Sequence, residues 1–138
     1  MSTDAAPKPP PGTDAKAISP AYLAFLGDAV YTLQIRWRLM ETGGPVSRAH
    51  ALCARYVCAE AQANAFTHIE PLLTPEEAEI FRRGRNIHTH KAPKGASVAQ
   101  YHAATGLEAL VGYLYLGGRH ERLETLFARI WAAGRENE

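Results

Sequence analysis

A chain of 138 residues, 46% of them hydrophobic, suits one domain with a core of its own and excludes disorder throughout. Lysine and arginine nearly balance aspartate and glutamate, and a net charge of +1 selects no class of partner. The apolar runs break well short of a membrane span and the first residues lack a signal-peptide core, so a soluble cytoplasmic protein is expected.

Residues 1–17 read as a disordered tail: Pro7, Pro9, Pro10, Pro11 and Gly12 oppose regular structure and little apolar content anchors it. Ser19-Pro20 predicts the start of a first helix, with an N-cap followed by proline at the first helical position. It runs to about Glu41 and stops at Gly43-Gly44-Pro45. Leu26, Val30, Leu33, Trp37 and Met40 recur at helical spacing and predict a buried face; Ala21, Ala24, Asp28, Ile35 and Leu39 lie opposite. A helix apolar on both faces is expected at the centre of its domain, which puts Asp28 in the interior or in a cleft. Gly27 costs the helix about 1 kcal/mol relative to alanine, so a close approach by a neighbouring helix or ligand is expected there.

A second, alanine-rich helix is predicted from Ser47 to about Ile69, with Leu52, Tyr56, Ala59, Ala63 and Phe66 as its apolar stripe. Cys53 and Cys58 lie on it, unable to pair with each other and matching no zinc motif, and read as two small buried hydrophobes. Thr74-Pro75-Glu76-Glu77 combines an N-cap, a proline and a capping-box glutamate, and opens a third helix that ends near Asn86. Residues 86–96 read as a loop, within which His88 and His90 lack an obvious third metal ligand. A fourth helix is predicted from about Ser97 to Leu116. It packs on Leu107, Leu110, Val111 and Leu114, while Tyr101, Thr105, Glu108, Gly112 and Tyr115 share another stripe. A fifth helix spans about Arg119 to Ala133, with Leu123, Leu126, Phe127, Ile130 and Trp131 facing the core. No segment alternates as a strand does, so the expected fold class is all-α.

Two carboxylates stand out in this pattern. Asp28 and Glu108 each sit in an otherwise apolar helix, and burying an ionised carboxylate is costly without a cation or hydrogen bonds. Such a pair suits a hard cation, Mg²⁺ or Mn²⁺, with waters and a phosphate completing the ligand set. Asp28 and Glu108 are therefore assigned as metal ligands, with no histidine base required. Spacing alone leaves the structural alternative open: a buried Asp also bonds hydroxyls or backbone, and a buried Glu pairs with Arg. Arg82, Arg83, Arg85, Lys91 and Lys94 fall in one segment without an acid, a candidate phosphate contact. Basic residues are equally at home at a helix C-terminus for dipole reasons. Asn86 can add a hydrogen bond to a 2′-hydroxyl. Tyr101 and Thr105, on the Glu108 stripe, are possible supporting residues.

Phe25-Leu26-Gly27-Asp28-Ala29-Val30-Tyr31, Arg83-Gly84-Arg85-Asn86, and Thr105-Gly106-Leu107-Glu108-Ala109-Leu110 with Gly112-Tyr113-Leu114-Tyr115-Leu116 together resemble the Mini-ribonuclease III family. This is the compact branch with a ribonuclease III catalytic domain and no double-stranded-RNA-binding domain. The resemblance covers about residues 18–133 and implies a helical catalytic domain over 18–138 that forms a symmetric homodimer. It further implies Mg²⁺-dependent cleavage of double-stranded RNA, leaving a 5′-phosphate and a 3′-hydroxyl. The implied substrate is the duplex stem of the large-subunit (23S) ribosomal RNA precursor. The longer ribonuclease III enzymes carry two glutamates where this chain has Ala21 and Ala24, and an aspartate where it has Thr105. Asp28 and Glu108 are the retained acids. The alternative is a non-catalytic helical module that binds double-stranded RNA.

Overall fold

Ser19 and Pro20 open α1 (Pro20–Thr42) as expected: the Ser19 side chain accepts a hydrogen bond from the Tyr22 amide, and the proline sits where a helical N–H is not needed. A computed structural model describes residues 14–87 and 96–136. Among them α1 is followed by α2 (Val46–Val57), α3 (Ala59–Ile69), α4 (Pro75–Arg85), α5 (Val98–Leu116) and α6 (His120–Glu136), with no strand. Gly43 and Gly44, at φ 78° and 95°, turn the chain out of α1 in a region that L side chains rarely enter. His88, His90, Lys91 and Lys94 lie outside the described residues.

The innermost helix is α5 rather than α1. Ala104, Leu107, Ala109, Leu110, Val111, Tyr113 and Leu114 are buried, which takes in most of its circumference. Helices α1, α3, α4 and α6 pack around it. Its start is secured by a reciprocal capping box: Ser97 Oγ accepts from the Gln100 amide, and Gln100 Oε1 accepts from the Ser97 amide, both at 3.0 Å. The expected box at α4 is also present, between Thr74 and Glu77. Glu77 is buried and accepts a second set of bonds from the Arg122 guanidinium at 2.8 and 2.9 Å, which fastens α4 to α6.

Four further expectations need correction. The single helix predicted over 47–69 is two, because Cys58 adopts an extended conformation (φ −67°, ψ 158°) with neither glycine nor proline beside it. Cys58 is consequently exposed, and only Cys53 is a buried hydrophobe. The tail is shorter than predicted: Ala15–Ala17 form a 3-10 turn, Ala15 is buried, and Lys16 pairs with Glu76 at 2.8 Å. Finally, the predicted core face of α1 is mostly not core. Val30 is buried, but Leu33 is 59% and Met40 75% exposed, and Tyr22 and Phe25 are open as well. The buried face is instead Leu23, Ala24, Gly27, Val30, Tyr31, Ile35, Arg38 and Leu39. Equal apolarity on two faces let periodicity choose wrongly between them.

Candidate active site

The site begins with two glycines. A Cβ on Gly27 would overlap the backbone carbonyl of Glu108, and one on Gly112 would overlap the carbonyl of Leu23. Helices α1 and α5 therefore cross backbone to backbone, as the cost of Gly27 in a helix foreshadowed. Asp28 follows the first glycine directly, and Glu108 precedes the second by one turn, so the crossing delivers both carboxylates to one place. Their oxygens are within hydrogen-bonding reach of each other.

Asp28 and Glu108 face a cleft of about 370 Å³, to which Ala24, Phe25, Gln62, Tyr101 and Thr105 also contribute. Asp28 stands exposed on its rim and Glu108 is half-buried. Burial, then the hydrogen bond and negative charge of Asp28, push the Glu108 carboxyl up to about 8, while a hydrogen bond from Gln62 works against that rise. Among the described residues, no lysine or arginine pairs with either acid. Two adjoining carboxylates without a cation, one held in its protonated range by burial, form an oxygen donor set that fits a hard divalent ion. No group of three or more His, Cys, Asp or Glu with metal-ligand geometry occurs among the described residues, so waters or phosphate oxygens would have to supply the other ligands.

The supporting residues divide. Tyr101 and Thr105 both line the cleft with the acids, but the Thr105 hydroxyl donates to the Tyr101 carbonyl at 3.0 Å, which leaves only its lone pairs for a ligand water. Arg82, Arg83, Arg85 and Asn86 lie outside the cleft, at the C-terminal end of α4. Gly84 packs this end against Thr105, Gly106 and Ala109, the near neighbours of Glu108 on α5. Arg82 pairs with Glu79, and the Arg85 guanidinium lies 5.7 Å from the Phe81 ring centre.

One residue of the site, Gln62, escaped the sequence reading. Gln62 is 2% exposed and lines the cleft with Glu108; its sequence signal was a polar residue on the stripe between Ala59 and Phe66. Tyr31, one turn after Asp28, does not line the cleft: it is fully buried with its hydroxyl unpartnered, and burial holds that phenol above its ordinary range.

A helical bundle that brings two uncompensated carboxylates together at a glycine crossing defines a class of candidate metal-dependent enzymes, and comparison with known proteins specifies which. The Ribonuclease III domain model matches residues 21–119. The Mini-ribonuclease 3 of Thermoanaerobacter sp. (strain X514) is 48% identical over 111 residues, covering 80% of this chain and 78% of the relative. That of Symbiobacterium thermophilum is 51% identical over 107 residues, covering 77% and 82%, and that of Brevibacillus brevis 39% identical over 120 residues, covering 86% and 90%. The crystal structure of protein FN1578 from Fusobacterium nucleatum superposes with a TM-score of 0.78 at 29% identity, over 91% of this chain and 99% of that one. The chain belongs to the ribonuclease III family, within which its curated relatives are Mini-ribonuclease 3 proteins.

Proposed function

We propose that this protein is a divalent-metal-dependent endoribonuclease that cuts double-stranded RNA, with Asp28 and Glu108 as the metal ligands. The carboxylate pair carries this reading: two acids are held together at a helix crossing with no basic partner among the described residues. Mg²⁺, or Mn²⁺ in its place, would supply Lewis-acid stabilisation of a phosphodiester and lower the pKa of a bound water. Asp28, on the open rim, faces the side from which a duplex approaches; Glu108 anchors the pair from below. The products are then a 5′-phosphate and a 3′-hydroxyl, and the substrate is the duplex stem of precursor 23S ribosomal RNA, which sets the work in the cytoplasm.

Phosphate contacts are assigned to Arg82, Arg83, Arg85 and Asn86 at the end of α4, with Lys91 and Lys94 beyond them. An A-form duplex is read mainly through its phosphates and 2′-hydroxyls, which suits such side chains. A homodimer would provide two sites for two strands, and the open apolar stripe of α1 supplies a surface for it.

Purified protein incubated with duplex RNA is expected to cut it only when Mg²⁺ or Mn²⁺ is present. Asp28→Asn and Glu108→Gln are expected to lose at least about a hundredfold in rate while still retaining duplex RNA in a filter assay. Undiminished cutting by Asp28→Asn would overturn the site. Binding that persists while wild type never cuts would favour the non-catalytic module.

A further inference from the structure

The Cys58 break redirects the chain so that the end of α2 and the first turn of α3 border the cleft: Val57, Ala59 and Gln62 all line it. Of these, Gln62 alone is polar, and it is almost wholly enclosed at 2% exposure. A carboxamide in that setting is costly unless its groups are bonded. Its side chain borders the cleft beside Glu108 and acts on that carboxyl as a hydrogen-bonding neighbour that lowers its pKa, from a helix that packs along α5. Helix α3 otherwise buries Ala65, Phe66 and Ile69, so nothing about its packing calls for an amide at this place.

We infer that Gln62 is a positioning residue for the metal centre, holding one Glu108 oxygen by a neutral N–H so that the remaining lone pairs face Asp28 and the ion between them. The inference rests on the metal-nuclease reading above. The choice of a neutral donor is the informative part. An arginine in this position would orient the carboxylate but also neutralise it, and the pair would lose its attraction for a cation. An apolar residue would leave the charge but not the direction. The carboxamide fixes the side chain and leaves its charge available. Ala24, Ala59 and Ala104, which also border the cleft, are too short to do either.

The test uses the full chain and Mn²⁺ alone as the probe, read by electron paramagnetic resonance without RNA, beside cleavage kinetics over a range of Mg²⁺. Gln62→Leu keeps bulk and removes the donor. It is expected to weaken Mn²⁺ binding by about tenfold or more, as loss of a partner behind a ligand does. It should also raise the Mg²⁺ needed for half-maximal rate, with the duplex KM unchanged. Gln62→Met, longer and more adaptable, provides the same comparison should the leucine variant not fold. Mn²⁺ affinity equal to wild type in a folded Gln62 variant would overturn the assignment of Gln62 alone. Failure of wild type to bind Mn²⁺ at all, with Glu108→Gln no different, would remove the metal centre itself.

Discussion

Glu108 holds its carboxyl proton up to about pH 8 in the metal-free fold, against an ordinary value of 4.5, chiefly because it is buried and then because Asp28 is beside it. The sign of the consequence is fixed by linkage. Where the folded pKa is raised, its stabilising contribution is complete below the ordinary value and is lost as pH climbs through the folded one. Metal-free protein is therefore expected to melt at progressively lower temperature from about pH 5 to pH 8, and Glu108→Gln to show a flatter profile. Added Mg²⁺ should raise the melting temperature more at the upper end of that range, where fewer protons have to be displaced. Calorimetry at several pH values checks both; a wild-type profile identical to that of Glu108→Gln would contradict them. The two acids were legible in the sequence because each interrupts an apolar helix. Gln62 was not, since a glutamine in an alanine-rich helix is unremarkable until its neighbours are known. The exposure of Asp28 was only half legible: periodicity gave a cleft or an interior and had no means to choose.

Helices carry the next layer of cause. The crossing of α1 and α5 admits no side-chain atom at Gly27 or Gly112. Gly27→Ala gains helix propensity but must push the Glu108 backbone away. The expected net result is a loss of about 3 kcal/mol or more in urea unfolding, with cleavage impaired beyond what the lost stability explains. A variant as stable as wild type would show that the helices part without penalty. Helix starts were well marked in advance, at Ser19-Pro20 and at Thr74-Pro75 with Glu77, because caps and first-turn prolines are local chemistry. The interruption at Cys58 was invisible for the opposite reason. Its sequence favours helix on both sides, and the break is made by where the halves pack: α2 against α1, α3 against α5 and α6.

Across the described residues, α1 carries an apolar face that the core does not use. Tyr22, Phe25, Leu33 and Met40 project from α1 at 71%, 78%, 59% and 75% exposure. Large apolar side chains left open along one helix are a candidate association surface. Leu33→Asp and Met40→Asp are expected to convert a dimer into a monomer in light scattering, and to reduce duplex cutting while leaving helix content unchanged. A monomeric wild type at micromolar concentration would count against the homodimer. The all-α class was legible throughout, and no helix of the described residues is long and apolar enough to cross a membrane. Leu33 and Met40 were recognised as apolar but read as core, because the hydrophobic period of a helix does not record whether a face is covered.

The meeting of Gly27 with Gly112 has one more outcome. Where main chains touch, the gap between adjacent acids is dictated by atomic radii of peptide groups, quantities that no replacement elsewhere alters. The spacing of the two carboxylates is thus set where two hydrogen atoms stand in place of methyl groups.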